Sequence, residues 1–259
     1  ITTTIDATNF INQNCQNTIT ELVFNYCSPI SQIPFNTIAS NYPIGTQFYN
    51  SYPVTSNTIE YSSSNPFPNT LGSFDYYAVP PNANGCYYTL QIIIVGNPTI
   101  TSPQAVNIVG CSTNAITGLP FSTTPVSITL QDFINIGGSV SNNSLSYTIS
   151  YVDVITGSCP TVVNRSYTLT TSCVTTNLTQ VFTIERPDFT MPENTASTVA
   201  CAADIVAPFV PVVTDNCDNV LVASAPVISA APTCEGTVTY TYTFTDCEGN
   251  THNWVHTFT

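Results

Sequence analysis

Val238, Tyr240, Tyr242 and Phe244 alternate with Thr239, Thr241, Thr243 and Thr245. This strict period of two sends apolar side chains to one face of a strand and hydroxyls to the other. DCEGN then turns the chain into a partner strand, so the segment predicts a hairpin whose apolar face belongs to a core. The device is repeated. Cys234 and Cys247 bracket CEGTVTYTYTFTDC, Cys159 and Cys173 bracket CPTVVNRSYTLTTSC, and CYYTLQIIIV follows Cys86. Counted from the first cysteine, Val163, Arg165, Tyr167 and Leu169 take the offsets of Val238, Tyr240, Tyr242 and Phe244. A cysteine followed by a period-two strand is therefore copied along the chain, as in an array of small β-domains.

A second set of cysteines closes short apolar alternations: Cys27 after LVFNY, Cys111 after AVNIVG and Cys201 after ASTVA, at separations of 84 and 90 residues. That repeat length suits an immunoglobulin-like sandwich. Breaker-rich stretches at GNPTITSP (96–103) and ERPDFTMPEN (185–194) predict boundaries, giving domains over 1–97, 98–186 and 187–259. Val, Ile, Thr, Tyr and Phe dominate the apolar runs, and 19 prolines and 11 glycines punctuate them, an all-β reading. The exception is SITLQDFINIGG (127–138), where Ile128, Phe133 and Ile134 predict a single helical turn closed by Gly137.

Composition narrows the partners. A net charge of -13, with Arg165 and Arg186 the only strong bases and no lysine, repels nucleic acid and anionic lipid. Lys-Asn isopeptide bonds are impossible here, and trypsin meets only two arginines, the second followed by Pro187. A 42% hydrophobic content separates the chain from disordered acidic tails. The longest apolar run, Leu90 to Val95 interrupted only by Gln91, is far short of the ~20 residues that span a bilayer. Ten cysteines without CxxC or Cys/His zinc spacing point to disulfides and an oxidising compartment. The alternation ends in mid-course at NWVHTFT, and the polypeptide is expected to continue.

If each copy pairs its first two cysteines, the bonds are Cys27–Cys86, Cys111–Cys159 and Cys201–Cys234, with Cys217–Cys247 as a second bridge in the last copy. Four cysteines in that copy allow three connectivities. Cys15 and Cys173 are left over, as free thiols or bonded to chain not included.

VTDNCDN (213–219) followed by TYTYTFTDCEGN (239–250) resembles the HYR-like immunoglobulin repeats of very large Bacteroidota surface proteins, among them SprB-type gliding adhesins exported by the type IX system. CSTNAITGLPFSTTPVSITLQDF with GSCPTVVNRSYTLTTSC is similar to another variety of the repeat. The likeness runs from about Thr99 to the end; over 1–98 only the cysteine positions and the final strand agree. Asp218 stands where the family has glycine, and SVSNNS (139–144) lacks the family's cysteine, which leaves Cys173 without its partner. The resemblance implies a long adhesive or filamentous protein on an outer membrane and does not assign its ligand.

Candidate chemistry is sparse. Asp215, Asp218, Asp246 and Glu248 flank Cys217 and Cys247 and offer the oxygen donors that calcium takes. Turn formation is the favoured reading, since no DxDxDG loop is present. His252 and His256 flank Trp254 on one strand face without a third metal ligand or a nucleophile in reach of sequence. Tyr49, Tyr52 and Tyr61, in the aromatic stretch 42–77, are candidate glycan contacts. No GxSxG, HExxH, SxxK or phosphate-binding glycine loop occurs. The expected protein is a non-enzymatic segment of an extracellular adhesin or filament, without cofactor beyond a weak calcium candidate. Its expected partners are neighbouring repeats and an external polysaccharide. A carbohydrate-binding module of a secreted glycan-degrading enzyme and a donor-strand pilus subunit are the alternatives.

Overall fold

In each of three sheets the first strand runs parallel to the last, and the last two strands form an antiparallel pair. The computed structural model describes residues 21–81, 85–142, 145–233 and 235–259, so Cys15 and Cys234 lie outside the described residues. By its contacts the chain divides into two units. Unit 1 groups Ile1–Thr99 with Thr171–Val174, and unit 2 holds Ile100–Thr170 and Thr175–Thr259.

In unit 1, β1 (Glu21–Cys27), β2 (Gln47–Tyr49), β3 (Glu60–Tyr61), β4 (Gly72–Val79) and β5 (Tyr88–Val95) form one sheet in the order β1-β5-β4-β2-β3. Alternate residues of β5, Tyr88, Leu90, Ile92 and Ile94, enter the core as the period of two requires. A short helix, α1 (Phe35–Ala39), follows Pro34 and sends Ile38 inward. It was not expected from the sequence; five residues are too few to show a helical period.

Unit 2 begins with β6 (Ile100–Thr101), β7 (Val106–Val109), β8 (Val126–Ile128), α2 (Leu130–Asn135), β9 (Ser139–Val140), β10 (Thr148–Ile155), β11 (Thr161–Thr170) and β12 (Thr175–Glu185). The sheet β7-β12-β11-β10-β8 is faced by the ribbon β6–β9 across Phe133, Ile149, Tyr151, Tyr167 and Leu169. α2 is the expected helical turn. Thr129 and Asp132 cap it reciprocally and Phe133 is buried, while Ile134 faces outward. The unit continues with β13 (Thr195–Ser197), β14 (Val213–Thr214), β15 (Val220–Leu221), β16 (Val227–Ile228), β17 (Val238–Thr245) and β18 (Thr251–Phe258). Here the sheet β13-β18-β17-β16 and the ribbon β14–β15 enclose Phe189, Val213, Tyr242, Phe244 and Trp254. The expected hairpin is β17–β18, paired from Val238↔Phe258 to Thr245↔Thr251. The chain is all-β, built of immunoglobulin-like sandwiches. Among the described residues no helix is long and apolar enough to cross a membrane.

Arg165 occupies an inward position of β11, where β17 carries Tyr240, and is 1% exposed. Its register partner Asp153 takes both Nε and Nη2 at 2.7 and 2.8 Å, and the carbonyls of Leu119 and Pro120 accept from Nη1 and Nη2 at 3.0 Å. The guanidinium also lies 4.3 Å from the Tyr151 ring and 5.0 Å from that of Phe182. It therefore joins the Tyr151 cluster to a second one of Ile116, Val163, Phe182 and Ile184. Removing one partner strands a buried charge. Asp153→Ala is expected to lower unfolding stability by about 3–5 kcal/mol, with most of that recovered by adding Arg165→Leu. Denaturant unfolding of both variants checks this, and an equal loss in the single and double variants would contradict it.

Candidate functional site: a covalent joint between two sandwiches

None of the three described disulfides pairs cysteines of one copy. Cys111 is bonded to Cys217 and Cys159 to Cys247, with Cα–Cα distances of 5.3 and 5.9 Å, separations that a disulfide spans. In unit 1, Cys27 is bonded to Cys173 at 5.3 Å. Cys201 is a free, exposed thiol, and the expected Cys201–Cys234 bond lies partly outside the described residues.

The positions of the strands explain why Cys27 does not meet Cys86, nor Cys111 Cys159. β1 and β5 are parallel with Cys27 opposite Val95, whereas Cys86 precedes Tyr88 at the other end of that pair. Seven residues of strand separate the ends by about 23 Å, beyond the reach of a disulfide. Cys86 is itself disulfide-bonded, but not to Cys27. It also lies in the turn before the last strand of its sheet, as Cys173 and Cys247 do. Its true counterparts are those two cysteines, and not Cys159 and Cys234. Cys111 and Cys159 do share one end of their sheet, since Val109 pairs with Glu185 and Thr161 with Ile184. Two strand spacings, about 10 Å, keep them apart, and each bonds to the next sandwich.

The receiving surface consists of two five-residue turns of one design. In DNCDN (215–219) the Asp215 N–H donates to the Asn219 carbonyl at 2.9 Å and the Asp218 N–H to the Asp215 carbonyl at 3.1 Å. In DCEGN (246–250) the corresponding pairs are Asp246 to Asn250 at 3.0 Å and Gly249 to Asp246 at 3.3 Å. The first aspartate carboxylate accepts the backbone N–H and side-chain amide of the closing asparagine in both turns. The fourth residue is left-handed in each, at φ 64 for Asp218 and 92 for Gly249. The cysteine is third in one turn and second in the other.

The linker runs between these turns. Arg186 gives Nη1 to the Asp215 carboxylate at 3.0 Å and its backbone N–H to Glu248 at 3.1 Å. Asn216 Nδ2 donates to the Asp188 carbonyl, and the Asp188 carboxylate meets His252 Nε2 at 2.9 Å. Burial raises the pKa of Asp215, but hydrogen bonds from Asn219, the Cys217 N–H and Arg186 outweigh it and hold the carboxyl below its ordinary range.

The acids therefore do not assemble as calcium ligands. Asp215 and Asp246 are buried and occupied by their own turns, Glu248 faces the linker, and Asp218 is exposed. Cys159, Cys247 and Glu248 lie close enough to hold an ion, but the two sulfurs are bonded to each other. His256 is held by the Thr195 and Ser197 hydroxyls at 2.6 and 2.9 Å. The expected tyrosine platform is also redistributed. Tyr49 and Tyr61 are buried, Tyr61 packing on Phe67 and Tyr76 at 4.9 and 5.1 Å. Tyr52 remains at the surface, grouped with Tyr87 and Tyr77 at 4.5 and 6.3 Å.

Residues 189–259 match the HYR-like domain with 4 cysteines. Of the four cysteines in that stretch, Cys217 and Cys247 are committed to the preceding sandwich and Cys201 is free. Among curated proteins no relative matches. The I-band fragment I67–I69 from titin is similar at 10% identity and TM-score 0.33, over 84% of this chain and 88% of that one. The protocadherin GammaB4 extracellular domain is similar at 10% identity and TM-score 0.25, over 93% and 47%. The endo-fucoidan hydrolase MfFcnA4 of glycoside hydrolase family 107 gives 8% and 0.22, over 83% and 38%. At such scores these likenesses carry no argument, and the immunoglobulin-like layout rests on the chain's own strand pairing.

Asp218 fills a left-handed position that suits glycine, as Gly249 shows in the sister turn. Asp218→Gly is expected to stabilise the protein by about 0.5–1 kcal/mol, read as a raised unfolding temperature, while Asp218→Ala lowers it. Destabilisation by the glycine would contradict the shared turn design.

Proposed function

We propose that this chain is a non-enzymatic segment of an extracellular adhesin or stalk, in which the joints between sandwiches are covalent stops that limit extension and bending. The observation that carries the reading is the pair of disulfides, Cys111–Cys217 and Cys159–Cys247, across one junction. A backbone linker alone is a hinge. Two further covalent connections beside it remove the hinge, because rotation about any one of the three strains the others. In the chain-entropy model each loop, with separations of 106 and 88 residues, adds about 4–5 kcal/mol.

An oxidising compartment and an array of sandwiches agree with a position outside the cell. The finer reading is a SprB-type gliding adhesin attached to an outer membrane and exported by the type IX system. Its support is the resemblance carried by VTDNCDN and TYTYTFTDCEGN, together with the match of residues 189–259 to the HYR-like domain.

The shortest covalent route from Ile1 to Thr259 passes through Cys27–Cys173 and Cys159–Cys247. It contains about 50 residues, so with the bonds closed the unfolded chain reaches only about 200 Å, against about 900 Å when reduced. Single-molecule pulling from the two ends is expected to stop near the shorter length without reductant and to reach the longer one with it. Full extension without reductant would contradict the proposed mechanical role.

A further inference from the structure

We infer that Cys201 is the outgoing half of another joint, a disulfide to a turn cysteine on a following β-sandwich of the same kind. The inference deepens the array reading and rests on it.

The position is repeated, and both earlier copies are bonded. Cys27 ends β1, Cys111 follows β7 and Cys201 follows β13, and each of these strands runs parallel to the last strand of its sheet. Cys27 bonds forward to Cys173 in the β11–β12 turn, and Cys111 bonds forward to Cys217 in the β14–β15 turn. A single 3₁₀ turn follows each of them, Thr113–Ala115 after Cys111 and Ala202–Asp204 after Cys201, with Cys201 at the N-cap of its turn and Cys111 one residue before the N-cap of the other. The traffic is one-way. In all three described disulfides, the later cysteine lies in a turn between two antiparallel strands.

Cys201 itself is prepared for such a bond. Its thiol is free and exposed, 3.3 Å from the Asp204 carboxylate that accepts its hydrogen bond. It borders an open cavity of about 290 Å³, lined by Val199, Ile205, Val238 and Phe258 among others. The incoming turn would cover this mixed polar and apolar surface while supplying the sulfur.

The chemistry balances by thiol–disulfide exchange. The Cys201 thiolate attacks a protein disulfide of the oxidising compartment, forming a mixed disulfide and releasing one thiolate. The turn cysteine's thiolate then attacks Cys201 Sγ and displaces the second. Two thiols lose two protons and two electrons, and the donor disulfide takes them up as a dithiol.

The test extends the whole chain in register by fusing after Thr259 a second copy of residues 184–259 in which serine replaces the counterpart of Cys201. This register follows from the equivalence of the pairs Val163↔Phe182 and Val238↔Phe258. After oxidation by a glutathione couple and alkylation, peptic mapping at acid pH is expected to show Cys201 linked to the appended counterpart of Cys217. The Cys201 alkylation adduct, present in the unextended chain, is expected to disappear. Cys201→Ser should restore alkylation of that appended cysteine. Continued alkylation of Cys201 in the extended chain overturns the inference. So does a Cys201–Cys234 link in either chain, which needs no fusion to be seen. Neither outcome touches the two bonds of the joint described above, so failure here is distinguishable from failure of the stalk reading.

Discussion

The joint in unit 2 depends on one constraint: two disulfides and a backbone linker connect the same pair of sandwiches at separate points. Any one connection leaves rotational freedom, and the three together leave almost none. The other features of the junction follow from it. Two turns must present sulfurs toward the preceding sandwich, and each is closed by an aspartate bonded to an asparagine four residues on. Arg186, one of only two strong bases in a chain of net charge -13, lies between them and answers the buried Asp215. The other, Arg165, is buried with Asp153 inside the middle sheet. Both arginines are thus engaged in structural ion pairs, and the surface is left acidic and rich in hydroxyls and amides.

This arrangement divides the work of stability and mechanics. Each sandwich keeps its own apolar core, two-sided in the last and joined by the Arg165 guanidinium in the middle one. No described disulfide lies within the core of the sandwich it starts from. Bonds inside a sandwich would shorten that sandwich's unfolded reach alone. Bonds between sandwiches limit the reach of the chain and the angle at the joint together.

Much of the fold is legible in the sequence because the relevant signal is local. The alternation of Val238, Tyr240, Tyr242 and Phe244 predicts β17, DCEGN predicts the turn, and Phe133 with Gly137 predicts α2. The disulfide pairing is not legible, because spacing does not say which end of a sheet a cysteine occupies. Cys86 is the clearest case. The strand after it reads like those after Cys159 and Cys234, yet it is the last strand of its sheet and not the one before. The aromatic stretch fails for a related reason. Tyr49, Tyr52 and Tyr61 share a composition, but no unbroken alternation sorts core from surface. For the acids, the missing information was Arg186, 29 residues from Asp215. One signal was available: Asp218 in place of a family glycine marked a left-handed position, which the turn geometry bears out.

The central claim is that disulfides run between sandwiches, and the paucity of basic residues supplies a direct test. Arg186 precedes proline, so trypsin acting on the unfolded, unreduced chain in urea, with Cys201 blocked beforehand, cuts after Arg165. Cys27–Cys173, Cys111–Cys217 and Cys159–Cys247 all straddle that bond. The account predicts one band without reductant and two fragments with it. Two fragments without reductant would mean that the cysteines pair within their own sandwiches, and the covalent joint would not exist.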